Sequence, residues 1–156
     1  MWFWRKKNRS SSIDPKVYYP IDISLDQMKH AVREFEKELP KGVSRRVLVK
    51  EDNSIDSDLL KAHLEGIPVK KYYMSKETYE IFEDHEKQIP FYLDLVQTAV
   101  DNYVRDEKHY PVSHDTIVPK INYDLLVEKS YLKEKPPFAL YLTKEENLLT
   151  HKKPQR

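Results

Sequence analysis

An α+β fold is predicted, built from two similar helix-strand-helix-hairpin units that pack as one domain with antiparallel sheet. Three observations carry that expectation. First, residues recur at an offset of about 68 positions: Leu25-Asp26 and Ala31-Val32 return as Leu93-Asp94 and Ala99-Val100, and Pro68, Tyr73, Lys76 and Glu77 return as Pro136, Tyr141, Lys144 and Glu145. Second, the order of signals returns with them: an amphipathic helix, an apolar triplet, an Asp-Leu-Leu helix, a proline, then a tyrosine strand followed by Ser/Thr-Lys-Glu. Third, each unit alone is near the size at which core burial barely offsets chain entropy, so the two must bury surface against each other. The recurrence is read as an internal duplication, with units at about 24–83 and 92–151 inside one domain spanning 14–151.

The elements follow in order. Residues 1–13 form a tail with Trp2-Phe3-Trp4, four basic residues and three serines. Val17 to Ile23 is extended, because Pro15 and Pro20 disfavour helix. Ser24 caps a helix whose apolar face is Leu25, Met28, Val32, Phe35 and Leu39, stopped by Pro40 and Gly42. Val47-Leu48-Val49 is expected as a strand. Asp56 or Ser57 caps a short helix through Leu64, closed by Gly66 in the left-handed position. Tyr72-Tyr73-Met74 is a strand; Ser75 then either caps a helix or opens a turn to a return strand at Tyr79–Phe82, and the recurrence favours the hairpin. The second unit begins near Ile89, with Pro90 in the first turn and Leu93, Val96, Val100 and Tyr103 on the buried face. Tyr110-Pro111 ends it, Ile117-Val118 echoes the triplet, Asn122 or Tyr123 starts a short helix, and Phe138–Leu142 with Leu148–Thr150 makes the last hairpin. Residues 152–156 are a basic tail.

Composition narrows the function classes. The 156 residues are 39% hydrophobic and 34% charged, with eleven tyrosines, two glycines and no cysteine. The scarcity of glycine argues against phosphate-cradling loops, and the absence of cysteine removes disulfides, thiolate metal sites and cysteine nucleophiles. The two tails hold Arg5, Lys6, Lys7, Arg9, Lys152, Lys153 and Arg156. Taking these seven from the 27 basic residues leaves 20 against 26 acidic ones in the body, a mildly acidic surface that does not favour nucleic acid. No apolar stretch reaches the roughly 20 residues needed to span a bilayer, and no apolar segment follows the N-terminal charges as in a signal peptide. A cytoplasmic location follows as the expectation.

Two groups of residues qualify as candidate sites. Asp106, His109, His114 and Asp115, with Glu107 beside them, have the donor types for zinc, iron or acid-base work, although His109 and His114 do not share helical spacing and Pro111 separates them. Trp2, Phe3, Trp4, Arg5, Lys6, Lys7 and Arg9 combine interfacial aromatics with cations, which suits weak contact with an anionic membrane at about 1 kcal/mol per charge. No cofactor is implied.

The phrases Tyr73-Met74-Ser75-Lys76-Glu77-Thr78 and Tyr141-Leu142-Thr143-Lys144-Glu145-Glu146, with the closing Thr150-His151-Lys152-Lys153-Pro154, resemble an uncharacterised family of small proteins, a domain of unknown function, from spore-forming Gram-positive bacteria. That resemblance implies a setting and assigns no catalytic residue. The order from Leu93 to Tyr141 is also similar in outline to the region after the first helix of type II pseudopilins, but their long apolar N-terminal helix is missing, so no function is carried over. The sequence therefore favours a non-catalytic protein-interaction module with peripheral contact to the inner membrane face. The alternative is a metal-dependent hydrolase built on residues 106–115.

Overall fold

The computed structural model describes residues 16–114, 117–145 and 147–154. The N-terminal segment with Trp2, Phe3, Trp4, Arg5, Lys6, Lys7 and Arg9 lies outside the described residues, as does Asp115. The fold is α+β. Helix α1 (Leu25–Lys37) starts where Ser24 predicts: its hydroxyl accepts from Gln27 N at 3.1 Å, and Gln27 Oε1 accepts from Ser24 N at 2.7 Å. This reciprocal cap satisfies two donors that a helix start leaves orphaned. Met28, Ala31 and Val32 are buried.

The apolar triplet is not a strand. Residues Arg45–Leu48 form a 3₁₀ turn capped by the Ser44 hydroxyl, which leaves Val47 47% exposed while Leu48 is fully buried. Only Val49 joins a ladder, as an antiparallel bridge to Ile55. A second 3₁₀ turn, Ser57–Leu60, capped by Asp56, runs into α2 (Lys61–Leu64).

Helix α2 closes on Glu65, not Gly66: Glu65 takes the left-handed conformation with φ 59°. Gly66 serves a different need. A Cβ there would sit 2.6 Å from Ile21 Cγ2, so glycine permits strand β1 (Pro20–Ile21) to lie against β2 (Ile67–Pro68). That pair is parallel, unlike the two antiparallel hairpins that follow. The extended entry Val17–Ile23 reaches its pairing partner across α1, and a connection of that length permits parallel pairing.

Strands β3 (Tyr72–Met74) and β4 (Ile81–Glu83) form the hairpin favoured by the recurrence, antiparallel with Tyr73 opposite Phe82. Its two faces feed two cores. Tyr72, Met74 and Ile81 join Met28, Val32, Leu48 and Leu60 beneath α1. Tyr73 and Phe82 join Leu93, Val96, Val100 and Tyr103 of α3 (Gln88–Glu107). Each of those two rings is worth about 1.5–3 kcal/mol in buried apolar area, and the one hairpin packs against both helices.

The second half continues with a bridge between Val112 and Ile121, helix α4 (Tyr123–Glu128) capped by Asn122, and a hairpin of β5 (Tyr141–Leu142) and β6 (Leu149–Thr150). Ile117-Val118, like its counterpart, lies outside any strand. Corresponding backbone bonds recur in the two halves. Ile55 N donates to Tyr72 O and Met74 N to Asn53 O, while Ile121 N donates to Leu140 O and Leu142 N to Pro119 O. Ser54 bridges Tyr73 as Lys120 bridges Tyr141.

Candidate functional site

The 106–115 cluster is built at the C-terminal end of α3. Lys108 adopts φ 67° and ends the helix, turning the chain so that His109 folds back. The imidazole stands edge-on to Tyr103 with ring centroids 5.3 Å apart. Its Nε2 is 3.5 Å from the Tyr103 hydroxyl and its Nδ1 is 3.4 Å from Tyr110 O. Asp106 accepts from the Tyr131 hydroxyl at 2.8 Å and from Arg105 Nε at 3.1 Å. The Tyr131 bond first, and Arg105 next, hold its carboxyl below the usual aspartate range. The same bond pushes the Tyr131 phenol up to about 12. His114 sits in an exposed turn, and Asp115 is outside the described residues. Among the described residues no three His, Asp or Glu side chains gather as a metal site. Asp106 ties the end of α3 to Tyr131, and His109 folds back onto Tyr103 of the same helix.

A more extensive polar construction lies at the other end of α3. The Asp94 carboxylate accepts from Asn53 Nδ2 at 2.7 Å, Ser75 Oγ at 2.6 Å, Lys76 N at 2.9 Å and Glu77 N at 3.2 Å. Ser75 Oγ in turn accepts from Glu77 N and Thr78 N, so the turn of the first hairpin wraps one anion. Charge-assisted bonds of this kind are about twice as strong as neutral ones. The chemistry is structural: a carboxylate from the second half seats α3 on the hairpin of the first.

Among the described residues no helix covers the corresponding turn of the second hairpin. Ile117, Pro119, Leu142, Thr143, Lys144 and Lys153 line an open groove of about 760 Å³ there, together with Val118, Thr150, Lys152 and Pro154. Ile117 is 76% exposed. Lys152 reaches Glu80 at 3.9 Å, whereas Lys144 and Lys153 have no ion pair among the described residues. Beside the groove, His151 packs edge-on to Phe82 at 5.4 Å, with a buried Nδ1 that has no hydrogen-bond partner among the described residues.

Sequence reasoning did not single out Asp94 or this groove. The signal was present in the recurrence itself: Leu-Asp on each long helix and Ser/Thr-Lys-Glu in each hairpin mark both halves of the Asp94 contact.

Fold and surface together describe a small α+β protein with two cores, a hairpin that contributes to both and an apolar groove rimmed by lysines. Residues 19–151 match the model of a family described as a protein of unknown function, DUF3939, and the chain belongs to that family. No curated protein and no solved structure matches it.

Proposed function

We propose that the protein is a non-catalytic protein-interaction module acting through the outer face of its second hairpin. The observation that carries this reading is the open groove at 117–119, 142–144 and 150–154, with apolar walls and a lysine rim. Exposed apolar surface bounded by polar residues is the usual composition of an interaction patch. The recurrent backbone bonding supports reading the two halves as products of an internal duplication. No helix among the described residues is long and apolar enough to cross a membrane. Peripheral contact with an anionic membrane through Trp2 to Arg9, at the inner face of a cytoplasmic compartment, is the subsidiary part of the reading and rests on the composition of that segment.

The test is parallel affinity capture with the wild-type chain and a Lys144→Glu variant, followed by reconstitution of each captured protein from purified components. A partner whose affinity falls at least tenfold with the variant supports the reading. A defined turnover activity with no groove-dependent partner refutes it. For the tail, co-sedimentation with phosphatidylserine vesicles at low salt, lost when Trp2 and Trp4 are replaced by alanine, is the expected result; no co-sedimentation of the wild type rejects membrane contact.

A further inference from the structure

We infer that the groove on the second hairpin is the seat for an amphipathic helix of a partner protein, one that presents an Asp or Glu carboxylate to the turn at Thr143–Glu145. This rests on the interaction-module reading and names the chemistry of the partner.

The two halves match bond by bond around their hairpins. Met74 N donates to Asn53 O, and Leu142 N donates to Pro119 O, so Asn53 corresponds to Pro119. Ser75 N donates to Glu80 O, and Thr143 N donates to Leu148 O, so the hairpin turns correspond as well. Within each turn the hydroxyl accepts from the amide two residues on: Glu77 N to Ser75 Oγ at 3.1 Å, and Glu145 N to Thr143 Oγ1 at 3.3 Å. In the first half the residues at these positions, Asn53, Ser75, Lys76 and Glu77, are the ones that bind Asp94 of α3. In the second half their counterparts Pro119, Thr143 and Lys144 line the open groove. At the turn, the groove therefore stands where the first half receives Asp94 of α3.

Charge selects the occupant. Pro119 has lost the amide donor that Asn53 supplies, but Lys144, Lys152 and Lys153 bring cations to the rim. A second copy of this chain would offer α1, whose Asp26 matches Asp94 in the recurrence. Its next positions on that face are Lys29, His30, Arg33 and Lys37, which would set cations against lysines. The chain's own N-terminal segment carries Arg5, Lys6, Lys7 and Arg9 and meets the same repulsion. A partner helix with a net negative face suits both the apolar floor and the rim.

The probe is a capped, fluorescein-labelled peptide with the sequence of residues 88–107, which carries four acids and one arginine and already fits the corresponding seat. It is titrated onto the full chain by fluorescence anisotropy, with amide chemical shifts recorded in parallel. The expected result is saturable binding, weakened at least tenfold by Leu142→Arg or Lys144→Glu in the protein and by Asp94→Asn in the peptide, with shifts centred on Ile117, Leu142 and Lys144. The exposed Lys144→Glu change reports on the seat even if Leu142→Arg disturbs folding. No saturable binding at millimolar peptide, or binding unaffected by Lys144→Glu, overturns the inference. Self-association of the full chain in sedimentation, or vesicle binding, that Lys144→Glu abolishes also overturns it by assigning another occupant. If the peptide fails while a reconstituted partner still depends on Lys144, the helix assignment fails and the interaction-module reading stands.

Discussion

Replacing Asp94 by alanine tests how the two halves are joined. The carboxylate accepts four hydrogen bonds, two on each oxygen, from residues of the first half. Bonds to a charged group contribute about 1.5–3 kcal/mol each when counted singly. They share one anion, however, and the turn amides recover water when it is removed, so the loss is about 2–4 kcal/mol rather than the sum. For a domain of this size that lowers the melting temperature by roughly 5–15 °C. Asp94→Asn retains one acceptor oxygen and is expected to lose about half as much. The matched control is Asp26→Ala: Asp26 occupies the equivalent position on α1, is exposed and makes no side-chain bond among the described residues, so its helix-dipole contribution of about 0.3–0.5 kcal/mol is at stake. Urea unfolding followed by circular dichroism gives both values. If Asp94→Ala and Asp26→Ala cost the same, the Asp94 network does not join the halves and the seat is misassigned.

Three further outcomes follow from the geometry. Gly66→Ala forces a methyl to within 2.6 Å of Ile21 Cγ2 and should cost about 1–3 kcal/mol; in an Ile21→Ala background the penalty should largely vanish in the same urea assay, and a penalty unchanged by that background refutes the close-approach explanation. Tyr123, which donates to Phe138 O at 2.8 Å, has its phenol pushed up by burial, so its contribution to stability is fully present below the ordinary tyrosine value of 10.0 and is lost as pH rises beyond it. Urea midpoints should therefore fall from pH 9 to pH 11, and Tyr123→Phe should reduce that fall; an equal fall in both proteins contradicts the assignment. Zinc or manganese should leave the melting temperature unchanged, whereas a metal-dependent rise removed by Asp106→Asn and His109→Ala would revive the hydrolase alternative.

Much of the architecture was legible because it depended on local chemistry. Ser24 and Asn122 announced their helices through side-chain oxygens placed before an apolar period, and the tyrosine phrases marked both hairpins. Val47-Leu48-Val49 misled because its β-branched residues favour a strand, while Leu48 and Val49 turn to the core and Val47 stays exposed. Gly66 misled for a related reason: a glycine at a helix end signals backbone conformation, but here the restriction is contact with Ile21, which no local pattern records. The parallel β1–β2 pair was invisible because it joins residues 47 positions apart across α1. His109 drew attention as a ligand type, yet its surroundings are Tyr103 and Tyr110. Asp94 drew none, because a lone aspartate on a helix looks solvated until the turn that wraps it is placed beside it.

The most direct measurement is hydrogen–deuterium exchange of the full chain, free and bound to a purified partner obtained by capture. Protection concentrated at 117–119 and 140–154, and absent at the 106–114 cluster, is the expected pattern for an interaction module that works through the second hairpin. Protection confined to other surfaces, with the groove unchanged on binding, would contradict it.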